Sequence, residues 1–275
     1  MLSILNNISS LQAQDSLNMN QASLSNTLNQ LSTGRRINNG ADDAAGLAIA
    51  NGLQANVTAL TQSVQNASDG VGLLQVADGA LSQITTLLNR AVTLATESAS
   101  GTVSASQRGS LDAEFQSINA EINTIGQKTT YNGAAVFNAG TMTVFMSDSS
   151  TAGTTSVGVA LVTVDAGHLN GVSLTADSLT TVASSTTALG DINTAIADVA
   201  ALRGTLGASS NQLQAATNVM NSQITNVQNA ESGIMDANIG TTTSNLAKFT
   251  VLQQTGIAAL QQSNQMTQSV LKLLQ

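Results

Sequence analysis

The stretch LQANVTALTQSVQNASDGVGLLQVADGALSQITTLLNRAVTLA, Leu53 to Ala95, decides the fold. Within it Leu53, Val57, Leu60, Val64, Ala67, Val71, Leu74, Asp78, Leu81, Thr85, Leu88, Val92 and Ala95 recur at alternating steps of four and three. Of these only Asp78 and Thr85 are polar. This heptad rhythm lines one edge of a helix with apolar side chains, and that edge needs a partner helix.

Two other arrays supply partners. Leu111, Phe115, Ile118, Ile122 and Ile125 repeat the rhythm. So do Leu189, Ile192, Ile196, Val199, Leu206, Leu213, Met220, Ile224, Val227 and Ile234, with Arg203, Ser210, Thr217 and Glu231 at polar slots. Three long seams in one chain predict an antiparallel bundle in which each helix covers the others' stripes.

The chain ends differ. Ile4, Ile8 and Leu11, then Leu17, Leu24, Leu28 and Leu31, form a stripe with one register shift. At the other end Leu246, Phe249, Ile257, Leu260, Leu271 and Leu274 form a stripe, flanked by Leu252, Ala259, Met266, Val270 and Leu273. Together they cover more of the helix than one partner needs. The remaining faces are mostly Gln, Asn, Ser and Thr, without the charged lacing of a free-standing helix. Both ends are therefore expected to be disordered in the monomer and to fold only in an assembly.

Thr141 to Thr187 is rich in Ser, Thr, Gly and Val. Met142, Val144 and Met146 alternate, as do Val157, Val159 and Leu161, predicting two strands joined by SDSSTAGTTS. A second hairpin is predicted at Tyr131–Phe137 from Asn132-Gly133. The predicted fold class is mainly α: a long antiparallel helical bundle and coiled coil formed by both chain ends, with a small β-hairpin tip in the middle.

Composition narrows the function classes. The 275 residues include no Cys, Pro or Trp, 2% aromatics and 9% charged residues, with a net charge of −8. Absent Cys excludes disulfides, thiolate metal sites and a Cys nucleophile. The acidic balance argues against nucleic acid. The start, MLSILNNISSLQAQD, has no basic region followed by an apolar run, so a cleaved signal peptide is not expected. Phe249–Leu271 is uncharged but too rich in Gln, Asn, Ser and Thr to span a bilayer. His168 has no second His or Cys to share a metal with. No catalytic residue, cofactor or metal site is expected.

One cluster of charge interrupts the helical pattern. LSTGRRINNGADDAAGLAIA, Leu31 to Ala50, holds Arg35, Arg36, Asp42 and Asp43 among Gly34, Gly40 and Gly46. A phosphate loop would need a strand before it. Adjacent Asp42 and Asp43 point about 100° apart on a helix and form no carboxylate dyad. The segment reads as a joint. Gly34 and Gly40 supply unusual backbone angles, Asp42 and Asp43 start the long helix, and Arg35 and Arg36 pair within the joint or across to another subunit.

The segments LSTGRRINNGADDAAGLAIANGLQANVTAL, NASDGVGLLQVADGAL and LDAEFQSINAEINTIGQKTTYNG resemble the N-terminal core of bacterial flagellins. LAKFTVLQQTGIAALQQSNQMTQSVLKLLQ resembles their C-terminal helix. The likeness covers residues 1 to about 139 and about 188 to 275. It implies an inner core of 1–40 plus 236–275, an outer core of 41–140 plus 188–235, and a short β-rich variable segment, 141–187. It further implies a structural, non-enzymatic subunit of the extracellular filament used in swimming, exported through a type III channel. The partners implied are other copies of itself, an export chaperone, the filament cap and hook-associated proteins. In this reading Leu17, Leu24, Leu28, Leu31, Leu246, Phe249, Ile257, Leu260, Leu271 and Leu274 form the terminal assembly seam. The resemblance also implies recognition by host Toll-like receptor 5 through Arg90, Leu94 and Glu114. The packing alternative is that Leu94 is core and Arg90 a solvated helix charge. Two rival functions are a hook–filament junction protein and a surface adhesin or carbohydrate-binding homologue using the β segment, where Phe145 is the aromatic available to stack on a sugar.

Overall fold

The structure is a computed structural model that describes residues 7–138, 140–147, 155–167 and 173–273. Five helices dominate: α1 (Ile8–Thr33), α2 (Ala44–Ser98), α3 (Ala105–Lys128), α4 (Val182–Met235) and α5 (Ile239–Leu273). Between α3 and α4 lie β1 (Thr130–Tyr131), β2 (Ala134–Ala135), β3 (Gly140–Met146) and β4 (Thr155–Leu161), then a 3-10 turn at Leu174–Ala176. The predominantly α class and both hairpins follow the sequence reading. The turn joining β3 to β4, His168, Ile4 and Leu274 lie outside the described residues.

Contacts divide the chain into two compact units, Met1–Ala55 with Asn226–Gln275, and Asn56–Thr225. Helices α2 and α4 contribute residues to both.

The larger unit has an ordinary apolar core. Val57, Leu60, Ala67, Leu74, Leu81, Leu88 and Ala95 of the opening seam are buried. So is a second row on α2, containing Ser63, Ala77, Ile84, Ala91 and Ser98. A two-helix seam would bury one edge only. Here α2 is covered by three neighbours, so its buried face is wider. Facing it are Phe115, Ile118 and Ile122 of α3, Val144 and Met146 of β3, and Ile192, Val199, Leu206 and Leu213 of α4. Each such side chain contributes roughly 1.5–3 kcal/mol when fully buried.

Local chemistry sets the ends of these elements. Ser104 and Gln107 form a reciprocal capping box at the start of α3. Arg108 then reaches back to donate to the carbonyls of Ser98 and Ser100, both at 2.9 Å, satisfying acceptors left open at the end of α2. In the first hairpin Asn132 and Gly133 take φ of 50° and 79°, the left-handed pair that a two-residue reverse turn demands. Strands β3 and β4 pair antiparallel from Gly140 with Leu161 to Met146 with Thr155. Their alternation places Val144, Met146, Val157 and Val159 inward and Phe145 outward.

The smaller unit is built differently. Helices α1 and α5 run antiparallel, as shown by Ser10 bonding Asn264 and Gln21 bonding Gln253. The face of α1 toward α5 carries Ser10, Ala13, Leu17, Leu24, Thr27 and Leu31, and that of α5 carries Thr242, Leu246, Phe249, Gln253, Gly256, Leu260 and Ser263. Both faces keep the alternating three–four spacing, but about half their positions are polar or small. At Gly256 a methyl group would stand 3.3 Å from Leu17 Cδ1. This glycine lets the two helices approach closely. Thr27 is the one buried residue of α1, so the pair buries little apolar surface.

Candidate assembly surfaces and the helix joint

The joint belongs to the smaller unit. Gly34 ends α1 in the left-handed conformation, φ 70°, which glycine adopts without strain. The next residues pair with the link between α4 and α5. Arg36 N donates to Met235 O (2.6 Å), Ala237 N donates to Gly34 O (2.8 Å), and Arg35 bridges Asp236 antiparallel. The Arg36 guanidinium donates from Nη2 (2.8 Å) and Nε (3.3 Å) to the Ile234 carbonyl, an acceptor at the end of α4. Its Nη2 also lies 3.7 Å from Asp43 Oδ2. Beneath this clasp, Ile37, Ala50 and Met235 form a small buried cluster with Leu47 and Ile234.

The two aspartates divide their labour. Asp43 precedes α2 and accepts from Gly46 N at 2.8 Å, as an N-cap does. Asp42 instead accepts from Asn38 N and Asn39 N, both at 3.0 Å, and so ties the loop. Its expected role in starting α2 is thus corrected: backbone amides two and three residues before Ala41 reach its carboxylate first. Gly40 is corrected as well, since positive φ among the described glycines occurs at Gly34 and Gly133. Gly46 is the glycine with a steric reason, because a methyl there would press on Asp43 and stand 2.9 Å from Ile37 Cδ1. The Arg35 side chain is exposed and forms no ion pair among the described residues.

Of the terminal seam residues, Leu17, Leu24, Leu31, Leu246, Phe249 and Leu260 are half-buried on the α1–α5 interface. Leu28 and Ile257 point outward. The side chains of Leu271 and Leu274 lie outside the described residues. Further apolar side chains face away from the seam: Ile8, Leu11 and Met19 on α1, and Ile239, Val251, Leu252 and Met266 on α5. Hydrophobicity alone cannot assign faces here, because the seam itself is half polar.

The three receptor candidates do not form one exposed patch. Arg90 Nε donates to Glu114 Oε1 at 2.8 Å, an exposed pair linking α2 to α3. Leu94, one turn on, is fully buried in the core of the larger unit. Its side chain packs in the cluster that also holds Phe115 and Ile118, the placement the packing alternative expects.

Two polar constellations escaped the sequence reading. Asp78 of the α2 seam and Arg203 of the α4 seam, two charged exceptions, face each other in a bidentate pair at 2.7 and 3.2 Å. The Arg203 hydrogen bond holds the Asp78 carboxyl below the usual carboxylate range. The other constellation is a ladder on α3. Asp112 accepts from Leu179 N (2.6 Å), Gln116 donates to Asp177 O (2.8 Å), Asn119 donates to Leu174 O (3.0 Å), and Asn123 accepts from Ala166 N (2.8 Å). At Gly126 a methyl would overlap the Val164 carbonyl. These five positions again step by four and three, and they strap an irregular segment to the helix through its backbone. Burial pushes the Asp177 carboxyl up, with Asp191 adding to the rise.

Among the described residues no group of three or more His, Cys, Asp or Glu is placed to hold a metal. An open groove of about 420 Å³ beside Tyr131, Phe145 and Asp69, and another of about 430 Å³ at the Asp78–Arg203 pair, flank α2 in the larger unit.

Comparison with known proteins matches residues 4–142 to the bacterial flagellin N-terminal helical region and residues 189–274 to the bacterial flagellin C-terminal helical region. Flagellin E of Vibrio cholerae serotype O1 is 39% identical over 137 residues, 50% of this chain and 36% of that protein. A flagellin of Salmonella muenchen is 43% identical over 127 residues, 46% of this chain and 25% of that protein. The match spans about a third or less of the length of these relatives. A crystal structure of Bacillus cereus flagellin aligns with 61% of this chain and 94% of that chain at 30% identity and TM-score 0.49.

Proposed function

Because the chain belongs to the bacterial flagellin family, we propose that it is the repeating subunit of an extracellular flagellar filament that serves swimming. The family is structural, not enzymatic. The observation that carries the proposal is the pair of terminal helices. Each has one face on its partner and large apolar side chains exposed on other faces. Exposed apolar surface on paired helices calls for further helices, and other copies of the chain supply them. Contacts between unlike faces do not close on themselves and continue as a filament. The export chaperone, filament cap and hook-associated proteins enter as partners of the same terminal helices.

The joint acts as the mechanical coupling in this proposal. Arg36 fastens α1 to the end of α4, so Arg36→Glu replaces two donors to the Ile234 carbonyl with a repelling carboxylate. Polymerisation on seeds measures the proposal directly. On this reading the unmutated protein is expected to elongate into long filaments, deletion of Gly256–Gln275 to abolish growth, and Arg36→Glu to impair it while the larger unit keeps its melting transition. Short or absent polymers from the unmutated protein would favour the hook–filament junction reading instead.

A second reading concerns Toll-like receptor 5. The exposed Arg90–Glu114 pair supports a polar contact, with Leu94 holding the two helices together from beneath. In receptor reporter cells, Arg90→Ala is expected to weaken activation; no response to the unmutated protein would end the idea.

A further inference from the structure

We propose that Asp15 on α1 of one copy pairs with Lys248 on α5 of a neighbouring copy, and that this ion pair fixes the register between adjacent subunits; the inference rests on the filament reading above. Asp15 is the lone charged residue of α1, and α5 carries only Lys248 and Lys272. Asp15 and Lys248 are exposed, and neither forms an ion pair among the described residues. Lys248 Nζ stands 5.9 Å from the centroid of the Phe249 ring.

Their surroundings are apolar. At about 100° per residue, Asp15 falls in a stripe with Ile8, Leu11 and Met19, which are 69%, 64% and 72% exposed. This stripe lies across the helix from Leu17 and Leu24. Lys248 falls in a stripe with Val251, Leu252 and Met266, exposed by 57%, 36% and 57%. Covering either stripe desolvates its charge, which is costly unless a counter-charge arrives with the covering surface. Each stripe carries the charge the other lacks.

The pair cannot form within one chain. Leu17 lies against Gly256, and Gln21 bonds Gln253, so Asp15 is level with about Ala258. Lys248 is then about ten residues away, roughly 15 Å along the axis, which exceeds the screening length of about 8 Å at physiological salt. The partner is a second copy displaced by about that distance along the helices. The charges also choose the kind of contact. Two α1 stripes or two α5 stripes face to face would juxtapose like charges, whereas α1 on α5 gives a head-to-tail contact that propagates.

Charge-swap polymerisation tests the pairing. Critical concentrations on seeds are measured for the full chain, Asp15→Lys, Lys248→Asp and the double variant, with far-UV circular dichroism confirming comparable helix content. Each single swap is expected to raise the critical concentration at least about tenfold, and the double swap to return it to within about threefold. Normal growth of Asp15→Lys, or its rescue by Lys272→Asp in place of Lys248→Asp, would overturn the pairing while leaving the filament reading intact. Failure of the unmutated chain to elongate would remove the filament reading and the pairing with it.

Discussion

Truncation of Leu94 to Ala separates packing from surface recognition. Leu94 of α2 is fully buried, in one cluster with Phe115 and Ile118 of α3. Leu→Ala at such sites removes transfer free energy and leaves a cavity, together costing about 2.7–5 kcal/mol. The helices either side are long and held by many other contacts, so collapse around the void is limited and a value near 3 kcal/mol is reasonable. For a unit of this size each kcal/mol lowers the melting temperature by about 2–4 °C, which gives a fall of about 6–12 °C. Arg90→Ala removes an exposed ion pair worth at most about 1 kcal/mol and should shift melting by a few degrees or less. Calorimetry of the two variants beside the unmutated protein makes the comparison. Equal, small shifts would refute the core assignment of Leu94, and any loss of receptor signalling by Leu94→Ala would then be a contact effect. A large shift for Leu94→Ala alone means its signalling must be read on the folded fraction.

Other predictions follow from the polar constellations and the terminal helices. Gly126→Ala should detach the strap over α3, because the new methyl overlaps the Val164 carbonyl; protease cleavage between Val164 and Leu179 should appear in the variant and not in the parent. The Asp78 carboxyl is held below its usual range, so its contribution to stability is fully present above about pH 4 and is lost as pH falls through the folded-state value. Arg203→Met should flatten that acid limb in pH-dependent melting. Asp177 is pushed the opposite way: the folded state binds its proton more tightly, so stability declines as pH rises from about 4 through the raised value. Asp177→Asn should abolish the decline. Amide exchange should find α1 and α5 poorly protected in the monomer and protected in the polymer; strong protection in the monomer would contradict their dependence on assembly.

The sequence made the helices and both hairpins legible because their periods are long and regular. The opening seam from Leu53 to Ala95 needed no tertiary knowledge, and Asn132-Gly133 named its own turn. Asp78 and Arg203 were visible as exceptions in two seams, but their meeting depends on the antiparallel offset of α2 and α4, which no single array contains. The ladder Asp112, Gln116, Asn119, Asn123 and Gly126 has a heptad spacing of its own. It went unread because it is polar and lies beside the stronger stripe of Phe115, Ile118 and Ile122. On the terminal helices the logic of hydrophobic stripes fails in part. Leu28 and Ile257 look like seam residues yet face outward, since small and amide side chains occupy the contact between α1 and α5. In the joint, charge and glycine marked the place, while the roles of Asp42 and Asp43 depended on which backbone amides the loop presents.

The clasp at Gly34–Arg36 and Met235–Ala237 can also be considered as a fastening under tension. Both terminal helices leave it from the same end, α1 through Gly34 and α5 through Ala237. A pull on either helix is therefore shared across two main-chain bonds and the two-pronged grip of Arg36 on Ile234, and neither strand is peeled away alone. Load entering along one terminal helix passes to α4 as well as to α2. Within this unit the half-polar α1–α5 seam is the softer contact and the clasp the firmer one, which places compliance in the helices and strength at the crossing of the chains.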